Sequence, residues 1–291
     1  MIYLDHFKFA TEDDEDDFIF ALKRTCYDTM YPFRIFSKIG WTRVDFEPIT
    51  IFYGGNGSGK STALNVIADK IGAERATVYN KSNFFEDYVR MCQVQFANEE
   101  YENNCIITSD GVFDSMLDIR NLNQGIDNRR EELFEEYSNL KLRNKSDSTR
   151  FQLQSLDDID ELRKINMIRS KTQSKFVRNN LVNNVREYSN GESAYQYFIN
   201  KIDKNGIYIL DEPENSLSPK RQIELVRFLE DSARFYQCQF IIATHSPFLL
   251  SLKGAKIYDL DEEPVDVKKW TELENVQTYF QFFKEHEKKF L

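Results

Sequence analysis

Long apolar runs are missing from this 291-residue sequence. None approaches the roughly 18–20 residues that a membrane-spanning helix needs, so no membrane anchor is expected. The opening stretch, MIYLDHFKFATEDDEDD, lacks a basic region followed by a long apolar core. It is therefore not read as a secretory signal. Cysteine is scarce: Cys26, Cys92, Cys105 and Cys238 show no C-x-x-C spacing. A disulfide frame and a zinc ribbon are excluded on that count, and the four read as reduced thiols of a cytoplasmic protein. Basic residues are outnumbered, with 38 Lys and Arg against 48 Asp and Glu and a net charge of -10. That balance argues against a general nucleic-acid coat but leaves room for a local basic patch. What is present, 41% hydrophobic and 30% charged residues, is a globular balance rather than a disordered one.

The first ten residues alternate apolar and polar like an opening strand. Six carboxylates follow in a row from Glu12 to Asp17. The run reads as a solvated loop, with a coordinated divalent ion as the alternative. RVDFEP and ITIFYGG read as strands, the second apolar enough to lie centrally in a sheet. STALNVIADKI then carries Leu64, Ile67, Ala68 and Ile71 at helical spacing. CQVQF and NNCIIT read as further strands. From about 112 to 186 the chain is polar, proline-free and helical by propensity, with Leu133, Phe134, Tyr137 and Leu140 on one face. It reads as an inserted helical lobe, too thin in apolar residues for a long coiled coil. After it, GIYILDEPE and CQFIIATHS flank the helix RQIELVRFLEDSARF, the pattern of a βαβ unit in a buried parallel sheet. The expected division is an ATPase lobe over 1–111, a helical insertion over 112–186 and a second part of the same head over 187–291.

The most specific motif is Gly54-Gly55-Asn56-Gly57-Ser58-Gly59-Lys60-Ser61, which satisfies G-x-x-x-x-G-K-[ST] between an apolar strand and a helix. Glycines let the backbone curl until successive N–H groups face a phosphate. The next helix turns its positive end to the same anion. Lys60 is placed to reach the β- and γ-phosphates, Ser61 to ligate Mg2+, and Thr62 completes the nucleotide-binding stretch.

Ile207 to Leu210 form an apolar strand that ends in Asp211 and Glu212. Beside a phosphate loop, Asp211 is the expected metal partner and Glu212 the general base or water-positioner. Solvated charges at a strand end before Pro213 are the alternative. His245 closes the other apolar strand, where a polar side chain can meet the γ-phosphate; a hydrogen-bonded turn histidine before Pro247 is the alternative. Asn144-Lys145-Ser146-Asp147 matches the guanine-reading N-K-x-D pattern, but it follows a polar stretch instead of an apolar strand, so ATP is the expected nucleotide.

Tyr188-Ser189-Asn190-Gly191-Glu192-Ser193 precedes the helix AYQYFINKI. Locally, Ser189 and Glu192 make a capping box. In order along the chain, however, the set resembles the ABC-type ATPase family: Walker A at 54–61, signature at 189–192, Walker B at 207–212, D-loop at 214–218 and switch histidine at His245. Within that family the chain is similar to the SMC/RecF-like branch of predicted AAA-type ATPases. The resemblance implies an α/β P-loop NTPase fold, with a mixed, largely parallel sheet and an inserted helical lobe. It implies ATP and Mg2+ as cofactors and ATP hydrolysis as the reaction, with Glu212, His245 and Lys60 catalytic. It also implies a homodimer of heads, in which Ser189, Asn190, Gly191 and Glu192 of one head cap the nucleotide of the other. Two departures stand out: Asn190 replaces a signature glycine, and no Q-loop glutamine is evident at Gln93, Gln95 or Thr108-Ser109-Asp110.

Two biological settings fit. In one, the ATPase regulates a separate effector such as a nuclease in a phage-defence module, because the stretch after His245 is too short for an attached nuclease. In the other, it acts on DNA in repair or maintenance. Residues 163–186, with Arg163, Lys164, Arg169, Lys171, Lys175, Arg178 and Arg186 and no acid, would then bind nucleic acid; a solvated helix face is the alternative. The 24 Phe and 15 Tyr are expected mostly in the core. Tyr279, Phe280, Phe282 and Phe283 are candidates for a docking helix.

Overall fold

The computed structural model describes residues 2–23, 26, 27, 29–146, 172–185 and 190–290. Strand β1 (Leu4–Lys8) is followed by helix α1 (Glu12–Ala21), then β2 (Arg43–Asp45) and β3 (Ile49–Tyr53). Helix α2 (Lys60–Lys70), β4 (Glu74–Arg75), α3 (Phe85–Met91), β5 (Gln93–Phe96) and β6 (Asn103–Thr108) come next. Helices α4 (Ser109–Ser146), α5 (Gln173–Asn180) and α6 (Asn190–Lys201) precede β7 (Gly206–Asp211). Then come α7 (Pro219–Phe235), β8 (Cys238–Ala243), the short α8 (Pro247–Leu250), β9 (Lys256–Asp259), β10 (Asp266–Lys268) and α9 (Glu274–Glu285).

Two sheets form. The larger runs β10-β9-β3-β8-β7-β6-β4, parallel throughout except for β10 at the edge. The smaller, β2-β1-β5, is antiparallel. Every residue of β3 and β8 is buried, and β7 is buried up to Asp211. Strands covered on both faces have no solvent side to alternate with, which explains their predominantly apolar sequences, Thr50 of β3 and Gln239 of β8 being the buried polar exceptions. This is the mixed, largely parallel α/β fold of a P-loop NTPase.

Buried Gln239 on β8 latches the small sheet to the large one. Its Oε1 accepts from the backbone N–H of Tyr3 (2.9 Å) and Leu4 (2.8 Å). Its Nε2 donates to the carbonyls of Leu4 (2.9 Å) and Glu47 (3.3 Å). Between the sheets lies an aromatic cluster: Phe9 stacks on Phe36 with centroids 4.1 Å apart, and Trp41 meets Phe52 edge-on at 4.9 Å. Such pairs add about 0.5–1.5 kcal/mol each beyond their buried area. The buried face of α2 (Ala63, Leu64, Val66, Ile67) joins the same core. The expectation of aromatics in the core holds here, whereas Tyr279, Phe280, Phe282 and Phe283 on α9 are exposed.

The acidic run is not a loop. Glu12 to Asp17 open α1, which Thr11 and Asp14 start with a capping box. Asp14 N–H donates to Thr11 Oγ1 (3.3 Å), and Thr11 N–H to the Asp14 carboxylate (3.0 Å). Four acids in the first turn also suit the positive end of the helix dipole. Glu15 is fully buried. Both its oxygens accept from Arg34 N–H at 3.1 Å, and Ser37 Oγ donates to it at 2.7 Å. Burial pushes its pKa up, while those bonds pull it down.

The chain divides into two compact units, Met1–Phe113 with Ser189–Leu291, and Asp114–Tyr188. In the second unit, Leu133 and Tyr137 of α4 pack on Phe176 and Val177 of α5. Asn123 pairs its side-chain amide with Val185, accepting from its N–H at 2.8 Å and donating to its carbonyl at 2.9 Å. Lys175 and Arg178 lie exposed on α5. Arg163, Lys164, Arg169, Lys171 and Arg186 of the basic stretch lie outside the described residues. Asn144 to Ser146 of the N-K-x-D match belong to α4 and not to a strand end, and Asp147 lies outside the described residues. Among the described residues, no helix is long and apolar enough to cross a membrane.

Glu15→Ala should lower stability by about 1–3 kcal/mol in urea unfolding, because Arg34 N–H loses its buried acceptor. Asp13→Ala, on the exposed side of the same run, should change it by less than about 0.5 kcal/mol. Gln239→Leu strands four backbone groups and should cost about 3 kcal/mol or more by the same measurement.

Candidate functional site

The parallel register builds the site. Phe52 of β3 and Asp211 of β7 both stand level with Ala243 of β8 between them. One residue or two further on, the three strands release Gly54, Glu212 and His245 at the same carboxyl edge. This is where open α/β sheets bind ligands.

Gly59 begins α2 with φ +94°, and the helix has no side-chain cap. Its first N–H groups therefore stay available to an anion. A Cβ on Gly59 would come within 3.1 Å of Ile35, so both the backbone angle and the space require glycine. Lys60 is buried and folds back over the loop, donating from Nζ to the carbonyls of Gly54 (2.7 Å) and Gly55 (2.9 Å). Asn56 and Gly57 are exposed at the tip, and Ser58 Oγ is buried without a hydrogen-bond partner among the described residues. Thr62 Oγ1 accepts from the Tyr31 hydroxyl at 3.0 Å.

Ser61 Oγ donates to Asp211 Oδ1 at 2.9 Å. Two oxygens on adjacent corners of an octahedral Mg2+, each about 2.1 Å from the ion, stand about 3.0 Å apart. The pair thus fits two corners of one Mg2+ shell. Desolvation at the strand end raises the Asp211 pKa to about 6, with the Glu212 charge adding and the Ser61 bond opposing. Arg75, at the end of β4, presents a guanidinium whose Nη1 and Nη2 are buried without hydrogen-bond partners among the described residues. It stacks over the Tyr79 ring at 3.8 Å, lies 3.9 Å from Asp69 Oδ1 and is within electrostatic reach of Asp211.

Glu212 adopts φ 47°, ψ 53°. This left-handed conformation costs a non-glycine residue about 1 kcal/mol or more. Its N–H donates to Ala243 O (2.9 Å), and its Oε2 accepts from Asn215 Nδ2 (2.9 Å). His245 Nδ1 stands 3.8 Å from Glu212 and 3.7 Å from Glu214, beyond hydrogen-bond length, and has no hydrogen-bond partner among the described residues. Glu214 is buried; its Oε1 accepts from Thr244 Oγ1 (2.6 Å) and from His245 N–H (3.0 Å). It fixes the turn that carries the histidine.

The phosphate loop, Asp211, Glu212 and His245 therefore converge. Of the signature, Ser189 and the Asn190 side chain lie outside the described residues. Gly191 sits against the D-loop, its Cβ position 3.6 Å from Ser216 O and 3.7 Å from Ser218 N. Glu192 accepts from Arg221 Nη2 at 3.3 Å. Arg75, Tyr31 and the orienting role of Glu214 were not singled out by sequence. Only Glu214, inside the D-loop range, carried any local signal.

Residues 117–251 match a family model described as "AAA domain, putative AbiEii toxin, Type IV TA system". The match takes in the Gly191 turn, Asp211, Glu212 and His245 but begins after the phosphate loop, which stands on its own motif. The search of curated proteins returns no match. Among solved structures, the chain is similar to an Smc head domain with an extended coiled coil from Pyrococcus furiosus, bound to the C-terminal domain of ScpA. That likeness has 9% identity, covers 99% of this chain and 100% of that one, and has a TM-score of 0.41. An SMC head domain from Thermotoga maritima is similar at 12% identity, over 92% of this chain and 99% of that one, with a TM-score of 0.39. With the P-loop strand and the acidic strand separated by β8 and the ordered motifs at one sheet edge, the chain is a P-loop ATPase whose residues 117–251 are similar to that AAA-domain family.

Proposed function

We propose that this ATPase is a switch whose heads pair around ATP and part on hydrolysis, and that it controls a separate effector protein. The observation that carries the reading is the Ser61–Asp211 contact at 2.9 Å, with Glu212 and His245 at the same edge. Gly54 to Thr62 bind the triphosphate. Lys60 exchanges its contacts with the Gly54 and Gly55 carbonyls for the β- and γ-phosphates. Ser61 and Asp211 hold Mg2+, which neutralises phosphate oxygens when bound. Glu212 orients a water whose oxygen attacks the γ-phosphorus. The bond to the β-phosphate oxygen breaks, ADP leaves, and the water proton passes to the Glu212 carboxylate. His245, oriented by Glu214, contacts the γ-phosphate. Arg75 adds a second cation on the β4 side of Asp211.

A partner head supplies Ser189, Asn190, Gly191 and Glu192 to the other face of the nucleotide, with the helix N-terminus of α6 adding its dipole. The ABC-type order of motifs supports this pairing. Contacts to the γ-phosphate exist in only one state, so ATP biases the paired form. The toxin–antitoxin wording of the matching family favours a defence setting for the effector. The basic stretch 163–186 favours direct action on DNA as the second reading.

Lys60→Ala should abolish ATP binding in calorimetry; unchanged affinity would refute the phosphate-loop assignment. Glu212→Gln should slow hydrolysis by about 10²–10⁴-fold. It should also sediment as a dimer with ATP and Mg2+ and as a monomer without them. A monomer under both conditions would refute the pairing.

A further inference from the structure

The segment after β9 touches the ATP site at two points that no sequence motif marks. Asp261 lies in the turn between β9 and β10, and both its carboxylate oxygens accept from Gly55 N–H, at 2.9 and 2.8 Å. Gly55 is the second residue of the phosphate loop. A carboxylate beside a triphosphate site opposes binding by its charge. Its position therefore calls for a compensating role, and the contact shows one: it fixes the first bend of the loop. The turn itself is anchored. Leu260 N–H donates to Tyr53 O at 2.9 Å, one residue before the loop. Asp261 N–H donates to Asp259 Oδ1 at 3.1 Å, and buried Asp259 meets Lys268 Nζ at 3.0 Å.

The second point is Asn275, in the first turn of α9. Its Nδ2 donates to the carbonyl of His245 at 2.7 Å, and its N–H donates to the Tyr53 hydroxyl at 3.2 Å. The histidine's peptide is thus held from both ends, by Glu214 at the N–H and by Asn275 at the carbonyl. Leu273 and Val276, both buried, seat this turn on the head.

We propose that Asp261 and Asn275 are positioning residues of the ATP site, Asp261 for the phosphate loop through Gly55 and Asn275 for His245. The inference rests on the reading of His245 as a γ-phosphate contact. The two residues act on different steps. Asp261 shapes the cradle that holds the β-phosphate in substrate and product alike. Asn275 shapes a contact that matters while the γ-phosphate is being transferred.

The test is steady-state ATP hydrolysis by the full chain with Mg2+, together with calorimetric affinity for ATP and ADP and a thermal melt. Asp261→Ala should raise KM and both dissociation constants about tenfold with kcat kept, and Asp261→Asn, which retains an acceptor oxygen, should stay within about threefold of the unaltered protein. Asn275→Leu, close in size, uncharged and unable to donate, should lower kcat about tenfold with ATP affinity kept. Rates are normalised to the calorimetric binding stoichiometry, so a misfolded fraction does not count. Unchanged KM in Asp261→Ala, or unchanged kcat in Asn275→Leu, overturns the corresponding assignment. His245→Ala separates the two levels. If it keeps full kcat, the histidine reading itself fails; if it loses activity while Asn275→Leu does not, only the present inference fails.

Discussion

The hydrogen-bond ladder from β3 through β8 to β7 is the constraint on which the rest depends. Its register sets Phe52, Ala243 and Asp211 in one row. A slip of one residue would turn every side chain of the slipped strand to the other face of the sheet. The phosphate loop, the acidic pair and the histidine belong to three separate parts of the sequence. They meet only because their strands stop together. The full burial of β3 and β8 makes that register costly to change, since any slip would bury polar ends or expose apolar ones.

Onto this frame the chain adds electrostatic tension. Asp211, Glu212, Glu214 and Asp261 surround a site intended for a polyanion. The opposing positive elements are Lys60, Arg75 and the uncapped start of α2. The raised pKa of Asp211 and the left-handed backbone of Glu212 are local costs of that arrangement. Bound nucleotide with its cation relieves part of the cost, so occupancy should favour one arrangement of the head. Glu214 spends its charge differently, on the Thr244 hydroxyl and the His245 peptide, and so orders the turn instead of facing the ligand.

Much of this was legible from residues alone. ITIFY, GIYILD and CQFIIA announce central parallel strands because apolar residues dominate both of their faces. The phosphate loop is legible because few other folds need that glycine spacing before Lys-Ser. The acidic run at 12–17 reads as a loop on charge density alone, but local capping makes it a helix. Thr11 and Asp14 three residues apart were the missed helix-start signal. Burial of Glu15 could not be foreseen, since its partners Arg34 and Ser37 come from a distant turn. Asp261, Asn275 and Arg75 were invisible for the same reason. Their roles come from tertiary placement, and their neighbours in sequence carry no pattern. Asn190 and the lack of an evident Q-loop glutamine set the sequence apart from the ABC-type pattern it resembles, and Thr108 at the β6 terminus bonds Thr77 at 3.1 Å.

If two heads complete each ATP site, hydrolysis must depend on pairing. Phosphate release per chain, followed as a function of protein concentration at saturating ATP and Mg2+, reads that dependence. Pairing predicts a specific rate that rises with concentration and levels off once the heads are together. A specific rate that is constant down to the most dilute samples, with sedimentation showing monomer throughout, would contradict it.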